Sequence, residues 1–133
     1  MLSLLHIENI AVIQSADIRF EPGFNVLTGE TGAGKSIVID AIGAVMGERT
    51  SRDLIRTGAN GARVCAVFCA LPELAWFVEN GIAPDENGEL LLERELLADG
   101  RNVCRVNSVP VSVSVLKKPP ALRKKKIRQK QRN

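Results

Sequence analysis

Short apolar runs at residues 2–7 and 16–20 open the chain, and Glu21-Pro22-Gly23 separates Phe20 from Phe24 with turn chemistry. The pattern predicts an antiparallel β segment leading into a further strand, where Phe24, Val26, Leu27 and Thr28 surround Asn25. The period then changes. Ile37, Val38, Ile39, Ala41, Ile42, Ala44, Val45 and Met46 make residues 35–46 a helix that is apolar nearly all round. Such a helix is buried, here against a sheet, and Gly47 supplies its C-terminal stop.

Residues 48–61 are polar and glycine-rich, a loop carrying Arg49, Arg52 and Arg56. Residues 62–71 read as a strand, and Pro72 opens a short helix to Asn80 with Gly81 as its cap. Residues 89–97 and 102–106 flank Ala98-Asp99-Gly100-Arg101, and Asp-Gly marks a hairpin turn. Asn107-Ser108 is a second turn, leading into Val109, Val111, Val113 and Val115 at the spacing of a strand. No internal repeat is visible.

The junction between the strand at 24–28 and the helix carries the chemistry. Gly29, Glu30, Thr31, Gly32, Ala33, Gly34, Lys35 and Ser36 complete the pattern G-x-x-x-x-G-K-[ST] in the strand–loop–helix context that a phosphate-binding loop requires. Gly29 and Gly34 let the backbone curl so that successive N–H groups point inward as an anion nest. The helix N-terminus adds its unpaired first-turn amides and the positive end of its dipole. Lys35 would reach the β- and γ-phosphates, and the Ser36 hydroxyl would complete a Mg²⁺ shell. Amides of Thr31 to Lys35 would form most of the cradle, with Glu30 and Thr31 shaping the loop. Asp40 lies one turn beyond Ser36, near enough to support the metal, or else is a plain polar helix residue. Arg49 and Arg56 could approach phosphate or base, with a solvated surface role as the default.

Charge divides the chain. Residues 1–116 carry −6, with a single lysine, Lys35, whereas residues 117–133 carry +9 and no acid. After Leu116, Lys117-Lys118-Pro119-Pro120 breaks any strand, and Ile127 is the one aliphatic residue from Arg123 to Asn133. A segment of that kind buries too little apolar surface to offset its ordering entropy. It reads as a disordered basic tail, with a nucleic-acid-binding arm as the alternative, although no aromatic is present for base stacking.

No apolar run approaches the 18 residues of a membrane span. The N-terminus lacks a basic n-region and carries Glu8, which argues against a signal peptide. Three cysteines without an export signal suggest a reducing cytosol. Cys65 and Cys69, four apart on one strand face and about 13 Å from each other, can neither pair nor share zinc. With Cys104 they read as small buried hydrophobes.

Residues 1–116 resemble the N-terminal segment of the RecN family of bacterial DNA-repair ATPases, in the SMC-like branch of ABC ATPases. The resemblance rests on Met1-Leu2-Ser3-Leu4-Leu5-His6-Ile7-Glu8-Asn9 and on Phe24 to Ile42, with Gly-Glu-Thr-Gly-Ala-Gly-Lys-Ser and Asp40. Gly47-Glu48-Arg49, Ile55-Arg56-Thr57-Gly58, Glu93-Arg94-Glu95 and Asp99-Gly100-Arg101 leading to Val106-Asn107 follow. It implies an α/β P-loop NTPase fold, the first lobe of an ABC/SMC-like ATPase head. That lobe has an antiparallel β segment beside a mixed sheet around the P-loop helix, and is incomplete by itself. It further implies ATP and Mg²⁺ as ligands, a homodimer of heads sandwiching ATP, action on DNA in double-strand-break repair, and a cytoplasmic, nucleoid-associated location without a membrane partner.

The departures from the family bound the expectation. In these heads the Gln loop, Ser-Gly-Gly signature, Walker B Asp with its catalytic Glu, and switch His lie downstream, and the single histidine here, His6, is more plausibly structural. No catalytic residue is therefore assigned, and the expectation is nucleotide binding with negligible turnover. The family prefers Asn-Gly where this chain has Asn107-Ser108. The resemblance stops at Lys117, where arginine usage switches to lysine, and residues 117–133 read as an out-of-frame or misjoined extension. Two other readings stay open: a small stand-alone P-loop NTPase, and a non-catalytic nucleic-acid-binding remnant driven by the tail. An ABC transporter subunit is disfavoured, since the chain has no tyrosine to stack on adenine.

Overall fold

The computed structural model describes residues 2–20, 32–69, 79, 81 and 88–116. The Glu21-Pro22-Gly23 turn, the strand at 24–28, Gly29 to Thr31, nearly all of the helix expected at 72–80, and the 117–133 tail lie outside them, as do the side chains of residues 32–34.

Six strands form one sheet in the order β2-β1-β3-β4-β5-β6. They are β1 (Leu2–Ile10), β2 (Ile13–Arg19), β3 (Gly61–Phe68), β4 (Leu90–Leu97), β5 (Asn102–Val106) and β6 (Val109–Val111). Every pairing among them is antiparallel. The mixed sheet expected around the P-loop helix is seen among the described residues only as antiparallel pairs, and the strand expected at 24–28 lies outside them.

The β3 sequence shows why one face packs. Ala62, Val64, Ala66 and Phe68 are buried, whereas Arg63, Cys65 and Val67 are half-buried on the opposite face. β1 departs from this alternation, burying Leu2, Leu5, Ile7 and Ile10. A register shift between Leu2 and Leu4 accounts for the first irregularity. Asn9 stands at φ 55 beside the second, a left-handed conformation that asparagine tolerates.

Helix α1 (Gly32–Val45) covers the apolar face and touches β1, β3 and β4. Its Ile37, Val38, Ala41, Ile42 and Val45 join the sheet residues in a single core. Each large aliphatic or aromatic side chain so buried contributes about 1.5–3 kcal/mol. The helix therefore holds to the sheet by its underside along most of its length.

Three boundaries differ from the sequence reading. The helix begins at Gly32 rather than residue 35, because its first turn is built from motif glycines whose poor propensity hid it. The 62–71 strand is observed as Gly61–Phe68, ending before Cys69. The valine alternation is strand only through Val111. Val113–Leu116 instead form a four-residue helix, α2, which buries Leu116 and lies against β5.

The outer face carries a chain of charge. Arg63 Nη2 donates to Glu93 Oε2 at 2.9 Å and Nη1 to Glu8 Oε2 at 3.3 Å. His6 Nε2 also lies 3.3 Å from Glu8 Oε2, and its Nδ1 meets the Asp17 carboxylate on β2. His6 is thus part of the sheet's surface network. Of the cysteines, Cys104 is buried, while Cys65 and Cys69 are only half-buried.

Candidate phosphate-binding site

Lys35 and Ser36 follow Gly32, Ala33 and Gly34 within the first turns of α1. The first four N–H groups of any helix have no partner inside it, so this end offers donors where the motif needs them. No acidic residue occupies the first turn to compete for them. Lys35 is half-buried and Ser36 exposed, whereas Ile37 and Val38 point into the core. The apolar residues dock the helix, and that docking leaves Ser36 exposed. Gly29, Glu30 and Thr31 lie outside the described residues.

Asp40 is exposed one turn beyond Ser36. With Ile39, Ala44, Glu48, Arg49 and Leu54 it lines a cleft of about 500 Å³ beside the helix. Arg49, Arg52 and Arg56 are all exposed, which for Arg49 and Arg56 fits a solvated role and an approach to phosphate or base alike. Arg52 Nη1 reaches the Ala98 carbonyl at 3.4 Å, and the Arg56 amide donates to the Asn9 carbonyl at 2.8 Å. This loop is thereby laced to β1 and to the β4–β5 turn.

The far end of α1 is held in two ways. Gly47, at φ 87, donates from its amide to the Ala44 carbonyl at 3.0 Å, and the Glu48 amide donates to the Gly43 carbonyl at 3.0 Å. That pair is a Schellman cap, which needs the left-handed residue that glycine supplies. Arg94 of β4, 4% exposed, adds the second anchor. Its Nη1 donates to the carbonyls of Ala44 at 2.8 Å and Glu48 at 2.6 Å. Nε donates to Asn102 Oδ1 at 3.0 Å, and Nη2 to Thr50 Oγ1 at 3.4 Å. Burial pulls the Arg94 pKa below the ordinary arginine value. The Ala44 carbonyl lies in the last turn of α1, at the negative end of the helix dipole, which favours the charge.

In the sequence Arg94 stands out only within the Glu93-Arg94-Glu95 run that resembles the family. A signal was there: Arg94 shares the period-2 face of Leu90, Leu92 and Leu96, the inward face of its strand. An arginine in that position must find buried acceptors.

Comparison with known proteins places this architecture. A family model described as an AAA domain matches residues 4–68. DNA repair protein RecN of Haemophilus influenzae is 43% identical over 121 residues, covering 88% of this chain and 22% of that protein. RecN of Bacillus subtilis is 40% identical over 121 residues, with 88% and 21% covered. The chain is a RecN homologue over most of its length.

The RecN-like chain spans about a fifth of the length of these curated relatives. Among solved structures, one from work on ATP-driven dimerization and DNA-stimulated activation of SMC ATPases superposes with TM-score 0.71 at 25% identity. That match covers 87% of this chain and 75% of the other. The SMC head domain from Thermotoga maritima gives 0.62 at 25% identity, covering 89% and 41%. The recombination mediator RecF bound to ATP, 18% identical, shares the fold with TM-score 0.66 over 87% and 30%. The RecN-like sheet and helix are thus the first lobe of a P-loop ATPase head of the SMC type.

Proposed function

We propose that this chain is the ATP-binding lobe of a RecN-like protein that serves recombinational repair of DNA double-strand breaks. The observation that carries the reading is the helix Gly32–Val45, docked on the sheet with Lys35 and Ser36 in its opening turns. Residues 1–116 form the lobe, and residues 117–133 a basic tail without a part in it. The loop 29–36 holds the triphosphate: amides of 31–35 and the Lys35 ammonium neutralise its charge, and the Ser36 hydroxyl is placed to ligate Mg²⁺. The metal neutralises phosphate charge when bound. In the whole protein two such heads would enclose ATP as a homodimer acting on DNA in the cytoplasm.

Hydrolysis needs a positioned water and groups opposite the phosphate loop. No run in the 133 residues matches the Ser-Gly-Gly signature or the apolar strand ending in Asp-Glu of the resembling heads. The polypeptide should bind nucleotide with negligible turnover. Titration calorimetry with ATP and Mg²⁺ tests this, comparing the wild type with Lys35→Ala and Ser36→Ala. Lys35→Ala should weaken binding at least a hundredfold, and Ser36→Ala should remove the Mg²⁺ dependence. Equal binding by wild type and Lys35→Ala would refute phosphate recognition at this loop. Robust Lys35-dependent ATP hydrolysis would refute the binding-only reading.

A further inference from the structure

Arg94 stands at the opposite end of α1 from Lys35 and Ser36. Ser36 and Ala44, whose carbonyl Arg94 holds, lie two turns apart on the helix, about 12 Å at about 1.5 Å per residue. The guanidinium is therefore out of contact with a phosphate bound at Lys35 and Ser36. Its geometry suggests a mechanical role. One planar group bridges the last turn of α1 (Ala44), the loop that leaves it (Glu48 and Thr50) and the neighbouring strand (Asn102).

The rest of the β4–β5 hairpin grips the same loop further along. The Ala98 carbonyl accepts from Arg52 Nη1 at 3.4 Å, and the Ala98 amide donates to the Asn60 carbonyl at 2.8 Å. The apolar underside of α1 resists lifting from the sheet. It resists sliding and rotation less well, because apolar contacts are non-directional. Directional bonds from a rigid fork at one end supply that missing constraint.

We propose that Arg94 is a positioning residue for the phosphate site, fixing the axial setting of α1 and so the placement of Lys35 and Ser36, with the β4–β5 hairpin as its mount. The proposal rests on the ATP-binding reading above for its functional consequence, but its mechanical part can be tested without nucleotide.

The experiment uses the full chain with Arg94→Met and Arg94→Lys. Amide hydrogen exchange, without nucleotide and at a temperature where each variant is folded, is read along residues 35–48. Arg94→Met should speed exchange at least tenfold over the whole helix, including the amides around Lys35. Arg94→Lys should recover part of the protection. Faster exchange confined to residues 43–48 would overturn the proposal, since the arginine would then be a local cap only. If Arg94→Met does not fold, Arg94→Lys against wild type decides on the same criterion.

The second arm is a double-mutant cycle on ATP·Mg²⁺ affinity. Arg94→Met should weaken binding at least tenfold in wild type and by less than twofold in Lys35→Ala, measured with a nucleotide concentration range wide enough to capture residual binding. A merely structural arginine would leave the affinity of the folded fraction unchanged, and that result overturns the proposal. Absence of Lys35-dependent binding in wild type would instead overturn the ATP-binding reading, while the exchange data would still judge the positioning role.

Discussion

Arg63 on β3 and Glu93 on β4 are joined at 2.9 Å across the outer face of the sheet, although neither faces the other in the strand register. The residue opposite Arg63 is Glu95, and the residue opposite Glu93 is Cys65. The long arginine reaches diagonally to the more buried carboxylate, whose side chain is 11% exposed against 41% for Arg63. The bond to Glu93 is the largest of the effects that hold the Arg63 pKa above its ordinary value.

The pair makes an asymmetric prediction. Arg63→Met strands a mostly buried carboxylate and should cost about 1–3 kcal/mol in urea unfolding. The double variant Arg63→Met, Glu93→Leu should recover most of that loss, because an apolar pair avoids the desolvation of both charges. Equal stability of Arg63→Met and wild type would show that solvent already carries the Glu93 charge.

Gly47→Ala tests the cap at the end of α1. The backbone there is at φ 87, so a Cβ should cost about 1–2 kcal/mol, read as a lowered midpoint of chemical unfolding. A variant as stable as wild type would mean that the cap relaxes without loss.

Ser108→Gly should act in the opposite direction. Asn107 and Ser108 take φ 49 and φ 70, the pair of left-handed residues of a type I′ hairpin turn. Asn107 suits the place, and its Oδ1 accepts from the Leu91 amide at 2.7 Å. Serine does not suit it, and glycine there should gain about 1 kcal/mol. A neutral or lowered thermal midpoint contradicts the strain.

Cys65 gives a pH dependence. Burial pushes its thiol up to about 11, against the opposing charge of Arg63 and with help from Glu93. At neutral pH the thiol should alkylate with iodoacetamide more slowly than free cysteine, since less thiolate is present. Between the unfolded value near about 9 and the folded one near 11, the unfolded state holds fewer protons, so stability falls as pH rises. Cys65→Ala should flatten that decline. An unchanged slope would assign it to other groups.

Much of the candidate site could be read before any folding was considered. Lys35 and Ser36 were found from spacing, and the apolar residues from Ile37 to Met46 announced the buried helix behind them. The Asp99-Gly100 turn was equally plain, with Gly100 observed at φ 95. Val113 and Val115 misled because alternation cannot say whether a neighbouring strand is there to continue the sheet. The true start of α1 was missed because propensity scores glycine by itself, whereas a helix already docked extends back through it.

The sequence by itself determined which groups stand at one end of the helix, since the order of glycines, lysine and serine is set there before any folding. It also marked β3, whose alternation follows its one buried face. Tertiary structure decided what fixes the other end. Arg94 and Ala44 are 50 positions apart, and only the antiparallel pairing of β3 with β4 beneath α1 brings that guanidinium to the helix carbonyls. Local patterning encodes faces and turns, but a directional bond between distant residues exists only once the sheet has set their separation.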